Sequence, residues 1–190
     1  MRRTFSAVSA AAIFIAVAAC ADPTPLAAPA PQLRAQILDG AHGGVAGFYF
    51  LPPLVAQPND SGTFDPSRAV HVTVCPLGNP AASTCVGPAV TVSPVEVDVN
   101  GHQYMVNWQT DDTAFPSDSY YRVAVIDNAS GAEWGHVDVF LGATGQGFHR
   151  IDQSEFTPLL DGRTVPVKFR LDTNAPAVPP SGGGSGGVAF

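Results

Sequence analysis

Short runs in which apolar residues alternate with polar residues fill most of the chain after residue 32. A period of two is typical of β-strands that bury one face, and no run keeps the 3.6-residue period of a helix. The runs predict strands at 48–51, 70–74, 95–99, 104–108, 121–125, 137–141 and 165–171, with a short first strand at 35–38 as an eighth. In the last strand, Lys168 and Arg170 are expected to face outward.

Seven or eight short strands of this kind predict an all-β fold, an antiparallel β-sandwich. Two facing sheets can bury the valines and aromatic residues that a lone hairpin leaves exposed. A closed barrel is the alternative, but the prolines at 52, 94 and 166 favour sheets with open edges.

Turn residues separate the predicted strands. Asn100-Gly101 predicts a type I′ hairpin, because both residues tolerate positive φ. Residues 127–131 predict the next turn, and Asp161-Gly162 precedes the last strand.

Composition divides the chain into four segments. Residues 32–172 carry the alternating pattern and have the usual length of one domain. Residues 20–31 are rich in Pro and Ala, a composition that favours an extended spacer. Residues 173–190 are rich in Gly and Pro and carry no charge, which predicts a flexible tail. Residues 1–19 combine two arginines with an apolar stretch too short to span a bilayer, which indicates a signal peptide.

The sequence Val17-Ala18-Ala19-Cys20 ends the apolar stretch and resembles the lipobox of bacterial lipoproteins. The resemblance implies cleavage before Cys20, a diacylglycerol on its thiol, and a further acyl chain such as palmitate on the new amino group. Two or more acyl chains anchor a protein stably. With Ala21 after the cysteine, the family's sorting rule implies the outer membrane or the cell surface. The alternative is an ordinary signal peptide cleaved near Ala19.

The chain has three cysteines, so lipidation of Cys20 leaves Cys75 and Cys85. They flank a turn-rich segment, and secretion would bring them into an oxidising compartment, so a local disulfide is expected. A metal or redox pair is the alternative, although the C-x-x-C spacing of such pairs is missing.

Several segments of the predicted domain resemble an Ig-like domain of uncharacterised secreted bacterial envelope proteins. They are ILDG at 37–40, FYFLPP at 48–53, YMVNW at 104–108, YRV at 121–123 and DGRTVPVKFR at 161–170. The resemblance implies an Ig-like β-sandwich and a place in the cell envelope, but no chemical activity.

Two sets of polar residues are candidates for metal binding. Asp111, Asp112 and Asp118 could hold Ca²⁺ with backbone carbonyls, although the EF-hand spacing is missing. His136 and Asp138 share one strand face, which is either part of a metal site or an exposed face of a half-buried strand. The expectation is that the protein has no cofactor, with Ca²⁺ as the exception to test.

Aromatic residues in turns are candidates for ligand binding. Trp134, Phe115 and Tyr120 lie near predicted turns, and exposed flat rings of this kind stack on sugars. The alternative is that Trp134 closes the end of the core.

The net charge of −7 argues against nucleic acid as a partner, because nucleic-acid binding needs a basic surface. The sequence contains no nucleophile elbow, zinc-protease or P-loop motif. We therefore expect a non-catalytic, membrane-anchored envelope lipoprotein whose Ig-like domain serves adhesion, assembly or ligand binding, with an envelope protein or a glycan as its partner. A secreted hydrolase with an unrecognised site is the alternative.

Overall fold

Two β-sheets packed face to face form the domain. The computed structural model describes residues 37–59, 62–150 and 156–176. Within these ranges lie ten strands: β1 (Ile37–Leu38), β2 (Phe48–Phe50), β3 (Val70–Pro76), β4 (Val90–Val92), β5 (Glu96–Asp98), β6 (Gln103–Gln109), β7 (Ser119–Asp127), β8 (Glu133–Gly142), β9 (Thr157–Leu160) and β10 (Thr164–Leu171). A 3₁₀-helix spans Gly145–Arg150. No helix in the described ranges has the length and apolar character needed to cross a membrane.

The larger sheet, sheet A, has the order β1-β8-β7-β3-β4, and β9 also pairs with β8. The smaller sheet, sheet B, has the order β2-β10-β6-β5. All neighbours are antiparallel except β8 and β9, which are parallel. The predicted all-β sandwich is therefore confirmed.

Each strand predicted from alternation has a counterpart, but β4 and β9 were not expected. β4 is the three-residue segment Val-Thr-Val, too short to show a period. β9 contains Pro158 and two adjacent leucines, so its sequence does not alternate. Both strands form because neighbouring strands offer unpaired backbone groups.

The core lies between the sheets and is filled by the inward residues of each strand. Val165, Val167, Phe169 and Leu171 of β10 are buried, while Lys168 and Arg170 face outward as predicted. Tyr104 stacks on Phe169 with ring centroids 5.3 Å apart. Packing continues through Ala175, which is buried beyond the predicted domain end at 172. The predicted segments 1–19 and 20–31, and residues 177–190 of the tail, lie outside the described residues.

The turn between β5 and β6 differs from the predicted type I′ hairpin. Asp98 pairs with Gln103, which leaves a loop of four residues instead of two. The carboxylate of Asp98 accepts the N–H of Gly101 at 2.8 Å, and positive φ occurs at His102 instead of at Asn100 or Gly101. The hydrogen bond between Gly101 and the side chain of Asp98 stabilises this wider loop. Val97 and Val99, expected to face the core, are 43% and 58% exposed.

Of the three prolines expected to favour open sheet edges, two lie next to an edge strand and one does not. Pro52 follows edge strand β2, and Pro94 precedes edge strand β5, as expected. Pro166, however, lies in β10, an inner strand of sheet B. β2 pairs only with Phe169–Leu171, so the segment around Pro166 has β6 on one side and no strand of the described chain on the other. The missing N–H of Pro166 can therefore face an unpaired side.

Candidate functional site

The loop between β3 and β4 folds over the outer face of sheet A. Cys75 and Cys85 form the predicted disulfide at its base, with Cα atoms 5.8 Å apart. The N–H of Leu77 donates to the carbonyl of Tyr120 at 2.9 Å. Leu77 packs with Phe140 and Phe156 in a second apolar cluster, separate from the main core. Residues 76–86, which we call the disulfide loop, thus cover one end of the sheet. Cys20 lies outside the described residues.

A buried ion pair lies on the same outer face. Nε and Nη2 of Arg122 each donate to a carboxylate oxygen of Asp138 at 2.8 Å, and Nη1 donates to the carbonyl of Ser83 in the disulfide loop at 2.9 Å. Burial alone would lower the pKa of Arg122, but the hydrogen bond and the charge of Asp138 outweigh it and raise that pKa. Arg122 therefore ties the sheet to the loop that covers it.

The face shared by His136 and Asp138 is buried, so its expected exposure is wrong. His136 is 9% exposed and Asp138 is 1% exposed. The carboxylate of Asp138 forms an ion pair with Arg122, and Nδ1 of His136 bonds to the carboxylate of Glu133. Both side chains are thus bonded to other side chains of sheet A.

A cleft of about 390 Å³ opens beside the disulfide loop, and we call it the disulfide cleft. Pro76 and Pro80 line one side, while Pro116, Asp118 and Tyr120 line the other. The half-buried ring of Tyr120 packs on Phe140 and Phe156, with centroid distances of 5.0 and 4.7 Å. Tyr120 is the one predicted stacking residue that lines this cleft.

A second cleft, of about 180 Å³, lies between sheet A and sheet B at the side where β4 and β5 form the edges. We call it the edge cleft. Its walls are residues 90–93 of β4 and its continuation, and residues 107–109 of β6. Asp112 and Phe115, from the loop that connects β6 to β7, also line it. This loop, residues 110–118, therefore contributes to both clefts.

Two of the three predicted stacking aromatics are buried, so their expected exposure is wrong. Trp134 is 1% exposed, because a β-bulge opposite Val125 and Ile126 turns its side chain into the core. The guanidinium of Arg68 lies 5.5 Å from its ring centroid. Phe115 is 5% exposed and packs edge-on against Trp108 at 5.2 Å. Neither ring presents a flat face to a sugar.

The three predicted calcium ligands do not come together. The carboxylate of Asp118 accepts the N–H of Ala143 at 3.2 Å beside the disulfide cleft. Asp112 lies at the edge cleft, where its carboxylate accepts the N–H of Ala114 at 2.9 Å. In the part of the chain that the structure describes, no three His, Cys, Asp or Glu side chains are grouped to hold a metal ion.

Sequence reasoning missed both clefts because each is built by segments distant in the chain. Beside the edge cleft, the chain crosses from β4 in sheet A to β5 in sheet B through residues 93–95, which include Pro94. A scan against family models, a search of the curated proteins and a search of the solved structures each gave no match to the chain.

Proposed function

We propose that this protein is a non-catalytic, lipid-anchored protein of the bacterial envelope whose sandwich domain binds a partner. The observation that carries the proposal is the motif Val17-Ala18-Ala19-Cys20, placed after two arginines and an apolar stretch. Acylation of Cys20 would hold the domain at a membrane surface, with residues 21–31 as the spacer.

The disulfide supports placement outside the cytoplasm. Disulfides persist in oxidising compartments and are rare where thiols are kept reduced. Cys75 is 3% exposed and Cys85 lies in the loop that covers sheet A, so the bond belongs to the folded domain. A disulfide within the folded domain therefore supports a place outside the cytoplasm.

The buried hydroxyl at the disulfide cleft supports binding over catalysis. The hydroxyl of Tyr121 donates to the carbonyl of Pro116 at 2.7 Å, and burial raises the pKa of Tyr121, which keeps it neutral. This hydroxyl holds a loop in place, whereas a nucleophile or a general base must be able to reach a substrate. Asp118, also at the cleft, is exposed and accepts a backbone N–H through one of its oxygens.

The anchor is tested by substituting Cys20→Ala in the full-length protein and fractionating the cells. We expect the protein to move from the membrane to the soluble fraction and to lose incorporation of labelled palmitate. The variant Cys75→Ala with Cys85→Ala is the matched control, because it removes two thiols but keeps the lipidation site. Unchanged membrane partition of Cys20→Ala, or mass spectrometry that finds an amino terminus upstream of Cys20, would contradict the proposal.

A further inference from the structure

The edge cleft lies where one strand of sheet B lacks a neighbour. β5 pairs with Gln103, Tyr104 and Met105 of β6 and with no later residue. Residues 106–109 of β6 therefore have β10 on one side, and on the other side no strand of the described ranges. An unpaired strand edge is a template on which another extended segment can form hydrogen bonds.

Pro166 determines which backbone groups of β6 face the cleft. Asn107 lies opposite Pro166, which has no N–H, so this pair cannot exchange hydrogen bonds. One observed bond agrees: the N–H of Leu51 donates to the carbonyl of Lys168, which puts the even-numbered positions of β10 on the β2 side. The N–H and C=O of Asn107 and of Gln109 consequently point away from β10, toward the edge cleft.

The opposite wall of the cleft is the edge of β4, which has no second strand partner among the described residues. The N–H of Asn128 donates to the carbonyl of Ala69, so the odd-numbered residues of β3 face β7 and the even-numbered residues face β4. Val92 and Val90 then bond to β3, and the backbone of Thr91 points outward. The edge cleft is thus bounded by free backbone groups of both sheets.

Trp108 and Phe115 contribute apolar lining to the cleft. Both are buried, and their rings pack edge to face. The indole N–H of Trp108 is also buried and has no acceptor within the described ranges.

We infer that the edge cleft binds an extended segment of a partner protein, which adds to β6 as a β-strand at Asn107 and Gln109. The inference rests on the proposed function as a binding domain and names the class of partner. The exposed carboxylate of Asp112, in an acidic chain, favours a segment that carries a lysine or arginine beside its apolar residues. The Pro-rich segment 21–31 is unsuited to this place, because its prolines lack the N–H groups that pairing requires.

The probe is a synthetic peptide of roughly six residues, alternating valine and threonine between terminal lysines, added to the purified full-length protein. We expect binding with a Kd of about 1 mM or tighter, and slower hydrogen exchange at the N–H groups of Asn107 and Gln109, measured by NMR. The same peptide with every backbone nitrogen methylated should not bind, because it keeps the side chains but has no donors.

Matched variants separate backbone pairing from side-chain contact. Asn107→Pro removes one outward N–H and should weaken binding by about tenfold, whereas Asn107→Ala keeps that N–H and should bind normally. Asp112→Asn should weaken binding a few-fold while its amide oxygen still accepts the N–H of Ala114. Circular dichroism verifies that each variant is folded.

Three outcomes would overturn the inference: no binding of the plain peptide at millimolar concentration, equal binding of the methylated peptide, or protection at Thr91 instead of Asn107. If the protein self-associates and the peptide displaces that association, the occupant of the edge cleft is a second copy of the chain instead of a partner protein. Peptide binding is measured on purified protein, so it does not depend on the anchor at Cys20, and the two proposals can fail separately.

Discussion

The outer faces of sheet A and sheet B come from similar alternating sequences but have different environments. The outward residues of β10 are Pro166, Lys168 and Arg170, and all three are partly exposed. The outward residues of β8 are His136, Asp138 and Phe140, and all three are buried. The difference arises because the disulfide loop and Phe156 cover the outer face of sheet A. Alternation therefore indicates which residues share a face, while the loops decide whether that face meets water.

The largest expected effect concerns the ion pair on the covered face. Asp138→Ala leaves the guanidinium of Arg122 buried without its partner, which should lower the free energy of unfolding by about 3–5 kcal/mol. Urea denaturation measures the change. On the open face, Lys168→Ala should change the free energy by less than about 0.5 kcal/mol.

The double variant Arg122→Met with Asp138→Leu sharpens this test. Replacing both charges with apolar residues should restore most of the stability, because no unpaired charge remains buried. Equal effects of Asp138→Ala and Lys168→Ala would contradict the difference between the two faces.

The second prediction concerns the covering loop itself. Removing the disulfide with Cys75→Ala and Cys85→Ala should lower the free energy of unfolding by about 3 kcal/mol, since the bond closes a short loop with a sequence separation of 10. Hydrogen exchange at the N–H of Leu77, which bonds across to Tyr120, should accelerate more than exchange in sheet B. Cys20→Ala is the control and should leave the free energy of unfolding unchanged. Uniform acceleration in both sheets would argue that the loop does not act locally.

The third and smallest effect concerns the inner face of sheet B at high pH. Burial raises the pKa of Tyr104, whose hydroxyl donates to the carbonyl of Asp65 at 2.6 Å. In the unfolded chain a tyrosine ionises near pH 10, so the folded state loses stability as the pH rises above about 10, by up to about 1.4 kcal/mol per pH unit for this group. Below pH 10 the contribution is complete.

Urea denaturation at several alkaline pH values measures this slope. Tyr104→Phe should reduce the slope while lowering stability at neutral pH by about 2 kcal/mol, because the hydroxyl both donates to the carbonyl of Asp65 and accepts the N–H of Arg68. An unchanged slope in Tyr104→Phe would contradict the role of burial.

The strands were predictable because each alternating run has an inward row of valines or aromatic residues, as in β10. The disulfide was predictable because the two cysteines other than Cys20 flank a turn-rich segment. Trp134 was misjudged because β8 begins at Glu133, which places this residue in a strand instead of near a turn. The bulge that turns its ring into the core leaves no mark in the pattern of apolar residues. The clefts depend on where the disulfide loop and the β6–β7 loop lie in space, which is a matter of tertiary packing.

Pro166 has a consequence for how sheet B assembles. If β10 slipped by one residue against β6, the ring nitrogen of Pro166 would face β6, where a donor is required. The same slip would turn Lys168 and Arg170 into the apolar interior. A one-residue shift of the last strand would thus lose a ladder hydrogen bond and bury two charges, so the observed alignment is favoured over that alternative.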